Sequence, residues 1–131
     1  MDLSQAEGRT YPPVAPVAVT AEAVAAFSEA LGMPATDVAP PTFGAKLASP
    51  AWQQLFTDPE LGLDLNHTIH GEQRFSVARP LRVGDEVVTQ ATIARVKARG
   101  PMAFITLVVD FTVAGEPVGS STSTLIHRKA A

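Results

Sequence analysis

Residues 103 to 113 read AFITLVVDFTV, and their side chains separate by parity. Ala103, Ile105, Leu107, Val109, Phe111 and Val113 form one apolar set, with Phe104, Thr106, Val108, Asp110 and Thr112 between them. A period of two is the mark of a strand with one buried face. Such a strand must be paired at its edges and covered on its apolar side, so it constrains the fold more than any other stretch. Ile69–Ala78, Glu86–Val96 and Val118–His127 also suit strands. ARGPM and AGEP read as turns, and PLRVGDEV as the link ahead of Glu86. The second half is therefore expected to be four consecutive antiparallel strands.

The first half has a different period. MDLSQAEGRT (1–10) is polar and is expected to be a flexible N-terminus, leaving residues 11–131 as a single domain. YPPVAPVAV (11–19) holds three prolines, which suits an extended segment outside the sheet centre. Thr20 is a natural N-cap for AEAVAAFSEALG, where Val24, Phe27, Ala30 and Leu31 share a face and Gly32 makes a stop. Pro34, Pro40 and Pro41 make a loop of residues 33–41. In TFGAKLASPAWQQLF (42–56), Pro50 is expected to split the helix in two. Helices grouped ahead of a run of strands indicate an α+β fold, a central helix wrapped by a curved antiparallel sheet, which is the hot-dog architecture. A lone copy leaves a sheet edge unpaired, so pairing into a double hot-dog dimer is expected.

Composition narrows the function. The net charge is −3 with Lys and Arg scattered, so no nucleic acid partner is expected. Lys97 and Arg99 form a small basic patch at a hairpin that could meet a phosphate, although a solvated turn is the plainer reading. The absence of cysteine removes disulfides, thiolate catalysis and Cys-based zinc sites. No apolar run reaches the ~18 residues of a membrane span, and no secretory leader is visible. The expected location is cytoplasmic. No G-x-G-x-x-G, Walker loop or G-x-S-x-G elbow is present, so no cofactor is expected and a triad hydrolase is disfavoured despite the hydroxyls of GSSTSTL (119–125).

The stretch richest in ionisable groups is DLNHTIHGEQRF (64–75). Asp64 and Asn66 suit a turn, where such side chains bond the local backbone. His67 and His70 lead into a strand, where a spacing of three puts them on opposite faces, so no metal site is expected. His70 and Glu72 would share a face of a regular strand, as a His–carboxylate base or as a charged ladder with Arg74. His127 reads as a solvated residue at the end of the last strand.

HGEQRFSVARPLRVGDEVVTQATI, APPTFGAKL and VTAEAVAAFSEALGMP together resemble MaoC-like dehydratase domains of the N-terminal, non-catalytic type, over residues 14–128. In catalytic members a Gly-Asp-x-Asn-Pro-x-His run after the first helix supplies an Asp and a His that hold the water added to an enoyl thioester. Here that place reads GMPATDV: the Asp position is Met33 and the His position is Val38, with Asp37 one residue early. Asp64, Asn66 and His67 or His70 mimic the motif in the wrong place. Thioesterases of this fold carry an acidic residue on the central helix, and residues 42–56 have none.

The resemblance implies a subunit with no catalytic residues of its own. It would belong to a heteromeric (R)-specific enoyl-thioester hydratase or 3-hydroxyacyl-thioester dehydratase acting on acyl-CoA or an acyl-carrier-protein thioester. Its partner would be a catalytic MaoC-like subunit, or itself as a homodimer. Phe43, Leu47 and Trp52 are candidates to line an acyl tunnel, with Leu55 and Phe56 beside them. Amides around Thr42, Phe43 and Gly44 are candidates to hold the thioester carbonyl. The alternatives are a homodimeric enzyme using His70 and Glu72, or a non-enzymatic acyl-ligand-binding protein.

Overall fold

The structure is a computed structural model that describes residues 3–128; residues 1–2 and 129–131, the ends of the expected tail and domain, lie outside the described residues. Five strands form one antiparallel sheet: β1 (Val17–Ala18), β2 (Thr68–Val77), β3 (Glu86–Arg99), β4 (Met102–Val113) and β5 (Glu116–Arg128). Two helices accompany them, α1 (Ala21–Ala30) and α2 (Gly44–Thr57). The strand order is β1-β3-β4-β5-β2. Only β3, β4 and β5 form a meander; β2 crosses over to pair with β5, which corrects the expectation of four consecutive neighbours. Between β2 and β3, residues 79–85 form a loop tied to itself. Arg79 grips Asp85 through two hydrogen bonds (2.8 and 3.2 Å), and the Arg82 amide donates to the same carboxylate.

The parity read in 103–113 is the parity of the core. Ile105, Leu107 and Val109 are buried together with Ile93 and Ala91 of β3 and with Leu125 of β5. Against this face lies α2, whose buried residues Gly44, Leu47, Ala48, Ala51 and Leu55 recur at helical spacing. Three of those five are Gly or Ala, so the helix backbone sits close to the sheet. Pro50 lies inside α2 without splitting it. Its ring is on the exposed face, and burial of the opposite face offsets an interior-proline cost of about 3 kcal/mol.

Thr20 caps α1 as expected, accepting from the Ala23 amide. Its buried residues are Val24 and Ser28, with Phe27 partly buried edge-on against Phe43 (centroids 5.3 Å); Ala30 and Leu31 are exposed, which corrects the expected face. Residues 3–10, expected to be flexible, are instead strapped to β3. Gly8 donates to the Ile93 carbonyl, Ile93 donates back to that of Arg9, and Ala6 is buried. The strap continues through Tyr11 and Val14, so it covers the β3 edge that the two-residue β1 leaves open. A second tie explains why it holds. Arg9 bridges Asp58 and Glu60 (both 2.7 Å), and the Tyr11 hydroxyl donates to Asp58 at 2.8 Å. That hydroxyl, with Arg9, holds the Asp58 carboxyl below the usual carboxylate range, while burial pushes the Tyr11 phenol up.

Candidate functional site

The site is a pocket of about 190 Å³ where the start of α2 meets the ends of β2 and β4 and the beginning of β5. Its walls are Val38, Pro40, Gly44, Phe75, Val77, Phe111 and Val118, with Arg79 at the charged side. Pro40 is extended (φ −56°, ψ 149°) and turns the chain into a short 3₁₀ turn, Pro41–Phe43, that runs directly into α2. No side chain caps either start, so the leading amides of this helix are left to backbone bonds and to whatever occupies the pocket.

Two glycines set the shape. A Cβ at Gly44 would lie 3.0 Å from the Phe111 ring and 3.2 Å from that of Phe75, so only glycine lets α2 begin this close to the sheet. A Cβ at Gly119 would meet the Ser76 carbonyl oxygen at 2.6 Å. One wall is closed by backbone pairing of residues 37–39 with 81–83: Val38 bridges Arg82, and Ala39 donates to the Leu81 carbonyl. The Arg79 guanidinium holds the Asp85 carboxyl below its ordinary range and fixes the loop behind that wall.

Of the residues expected to bind substrate, the structure brings only Gly44 to the pocket lining. Thr42 is exposed beside it. Phe43 and Leu47 are core residues (1% and 3% exposed) and are not among the residues lining this pocket. Trp52 stands two turns along α2, half-buried, its ring perpendicular to His70 (centroids 5.2 Å). Its Nε1 is buried with no hydrogen-bond partner among the described residues. Val38, at the position where the resemblance places a catalytic His, does line the pocket, and Met33 is exposed. None of the lining residues is an Asp, Glu or His.

The alternative dyad does not form. The ladder shifts register between His70 and Glu72, with His70 opposite Leu125 and Glu72 opposite Thr124, so Gly71 is an extra residue. Paired residues share a face, and Leu125 is buried while Thr124 is on the outer side. His70 therefore faces α2 and Trp52, and Glu72 lies on the outer face, where it accepts from Arg74 at 2.7 Å. The same shift puts Gln73 on the inner face, donating to Ser121 and accepting from Ser123, two fully buried hydroxyls from the GSSTSTL stretch.

Asp64 makes the expected turn, accepting from the Asn66 amide at 2.9 Å, and contacts His67 Nδ1 at 3.0 Å; the amide and then the histidine hold its carboxyl below the usual range. His127 is buried, not solvated: it shares the inner face with Leu125, and its Nε2 accepts from the Asp64 amide at 3.4 Å. Burial, reinforced by the nearby His67, lowers its pKa. Among the described residues no cluster of three metal-ligating side chains occurs, and no helix is long and apolar enough to cross a membrane. The pocket was hard to find by sequence because its walls are apolar and glycine; the Pro-Pro pair ahead of Gly44 was the visible signal.

A profile of the FAS1-like dehydratase domain region matches residues 35–120. A UPF0336 protein of Cutibacterium acnes is 45% identical over 129 residues, covering 93% of this chain and 91% of the relative. A UPF0336 protein of Streptomyces coelicolor is 42% identical over 106 residues, covering 70% and 71%. Among solved structures, the Mycobacterium tuberculosis HadBC (3R-hydroxyacyl-ACP dehydratase) complex aligns with TM-score 0.80 at 22% identity, covering 92% of this chain and 96% of that one. A MaoC-like dehydratase aligns with TM-score 0.85 at 24% identity, covering 98% of this chain and 44% of that one. A chain of the ChsH1-ChsH2 complex from the same Mycobacterium aligns with TM-score 0.67 at 16% identity, covering 93% and 90%. At these identities the structural matches speak for the fold: a curled antiparallel sheet around a helix, the hot-dog fold. The chain belongs to the FAS1-like dehydratase domain family.

Proposed function

We propose that this chain is the non-catalytic, acyl-binding or structural subunit of a heteromeric (R)-specific enoyl-thioester hydratase or 3-hydroxyacyl-thioester dehydratase. One observation carries the reading: the pocket at the start of α2 has Val38 on its wall and no Asp, Glu or His among its lining residues. Adding water to a C=C bond, or removing it, requires a base for one proton and an acid for another on the same side of the substrate. The guanidinium of Arg79 does neither at ordinary pH, because it stays protonated.

An apolar pocket of this size accepts part of an acyl chain, and the uncapped start of α2 offers donors and a positive dipole end to a thioester carbonyl. The proton-transferring pair would come from a MaoC-like partner. Three features support assembly. The free edge of β2 has no neighbour among the described residues, Ile69 and Val77 on it are 65% and 52% exposed, and the Trp52 indole nitrogen lacks a partner. HadBC and ChsH1-ChsH2 are themselves complexes, and the aligned MaoC-like chain is more than twice as long as its match here.

The test is hydration of crotonyl-CoA by the chain alone and after co-expression with MaoC-like proteins encoded beside it. The expected result is an inert lone chain and an active pair whose activity disappears when the partner's Asp or His is removed. Robust turnover by the purified lone chain overturns the reading. Inertness with every such neighbour, together with acyl-CoA binding, replaces it with a ligand-binding role.

A further inference from the structure

We propose that the outer face of the sheet, at the end remote from the pocket, is a docking surface for an acidic helix of a partner protein. Arg95, Lys97 and Arg99 of β3 lie on this face because Ala94 is a bulge. Ile93 pairs with Leu107 and Arg95 with Thr106, so the three cations oppose Thr106, Phe104 and Met102. Arg128 of β5 flanks Met102 on its other side. Arg95, Lys97, Arg99, Phe104 and Thr106 line one open groove of about 380 Å³. In a chain of net charge −3, four cations are thus collected on one end of one face.

None of the four is ion-paired among the described residues. Two carboxylates of neighbouring elements are otherwise engaged: Glu7 accepts from the Val96 amide at 3.0 Å, and Glu72 pairs with Arg74; Asp110, on the same face of β4, lies four residues along the strand from Thr106. Half-buried Phe104 lines the groove, and half-buried Met102 and Ile126 share its face of the sheet, apolar surface that a partner can dry.

The geometry selects a helix. Alternate residues of a strand are about 6.7 Å apart, so Arg95 to Arg99 spans about 13 Å. Carboxylates at i, i+4 and i+8 of a helix rise about 6 Å per step and span about 12 Å. A strand would need a free backbone edge, which a sheet face does not offer. A nucleic acid or an anionic membrane is disfavoured by the overall negative charge and the small number of cations. Phe104 lies seven residues from the pocket residue Phe111 on β4, about 24 Å along the strand, so the surface stands apart from the acyl site.

The test is fluorescence anisotropy with the full chain and a labelled 21-residue helical peptide carrying Glu at i, i+4 and i+8 with Leu between them. Expected are binding that weakens at least tenfold from 50 mM to 500 mM salt, at least tenfold weakening by the triple variant R95Q/K97Q/R99Q, and no change with Arg82→Gln. If the triple variant loses its thermal transition, the single variants Lys97→Gln and Arg99→Gln are each expected to weaken binding about threefold. No binding, binding indifferent to salt or to these variants, or equal affinity for a same-composition peptide with dispersed Glu overturns the proposal. So does tighter binding of a single-stranded oligonucleotide or of phosphatidylserine vesicles.

Discussion

The pocket and the stretch 64–75 are opposites. The stretch holds an Asp, two His and a Glu in twelve residues, yet the structure scatters them: Asp64 closes a turn, His70 faces α2, and Glu72 looks outward at Arg74. The pocket holds almost no ionisable chemistry, yet four elements and two glycines converge to make it. Density of reactive side chains along a chain is therefore a poor guide to a site. Convergence is what counts, and a single extra residue in β2 is enough to destroy it.

The contrast can be broken or sharpened by measurement. The largest expected effect is in the core next to Gly44: Phe43→Ala should cost about 3–5 kcal/mol in urea unfolding, because a large, fully buried side chain leaves a cavity. A loss under 1 kcal/mol would mean that Phe43 faces an open tunnel after all. Gly44→Ala and Gly119→Ala should each cost about 1–3 kcal/mol, Gly119 the more, since its obstacle is a backbone oxygen that cannot turn aside.

The pH response comes next. His127 has a lowered folded pKa, so protonation favours the unfolded chain. Its stabilising contribution is whole above the unfolded value of 6.5 and is lost as pH falls from there toward the folded value. Urea midpoints should drop between pH 7 and pH 5, and His127→Gln should flatten that drop. For Asp58 and Asp85 the folded values are also depressed, so their contribution is whole above about pH 4 and is lost in more acidic solution. Asp85→Asn should make the fall from pH 5 to pH 3 shallower. The smallest effect is the most pointed: in a double-mutant cycle, His70→Ala and Glu72→Ala should add to within about 0.5 kcal/mol, because the two lie on opposite faces. A coupling above 1 kcal/mol would restore the dyad.

Much of the fold was legible. The parity of 103–113 reports burial directly, because periodicity of side-chain direction is a local property of the backbone. The Thr20 cap was equally local. What failed depended on distant partners. His127 was read as solvated because nothing near it in sequence reveals that residues 64–67 fold over it. Residues 3–10 were read as flexible because the anchor of Arg9, Asp58, lies about fifty residues away.

By itself, then, the amino-acid order determined the strand segments of the second half, the apolar side of residues 103–113 and the capped start of α1. Those properties follow from spacing and side-chain chemistry along a few consecutive residues. Only the tertiary structure decided that β2 crosses to the far edge, that Gly71 turns His70 away from Glu72, and that Gly44 and Gly119 leave an apolar hollow at the head of α2. Register and enclosure depend on which strands meet, and contacts between residues fifty positions apart are set by packing the whole chain at once.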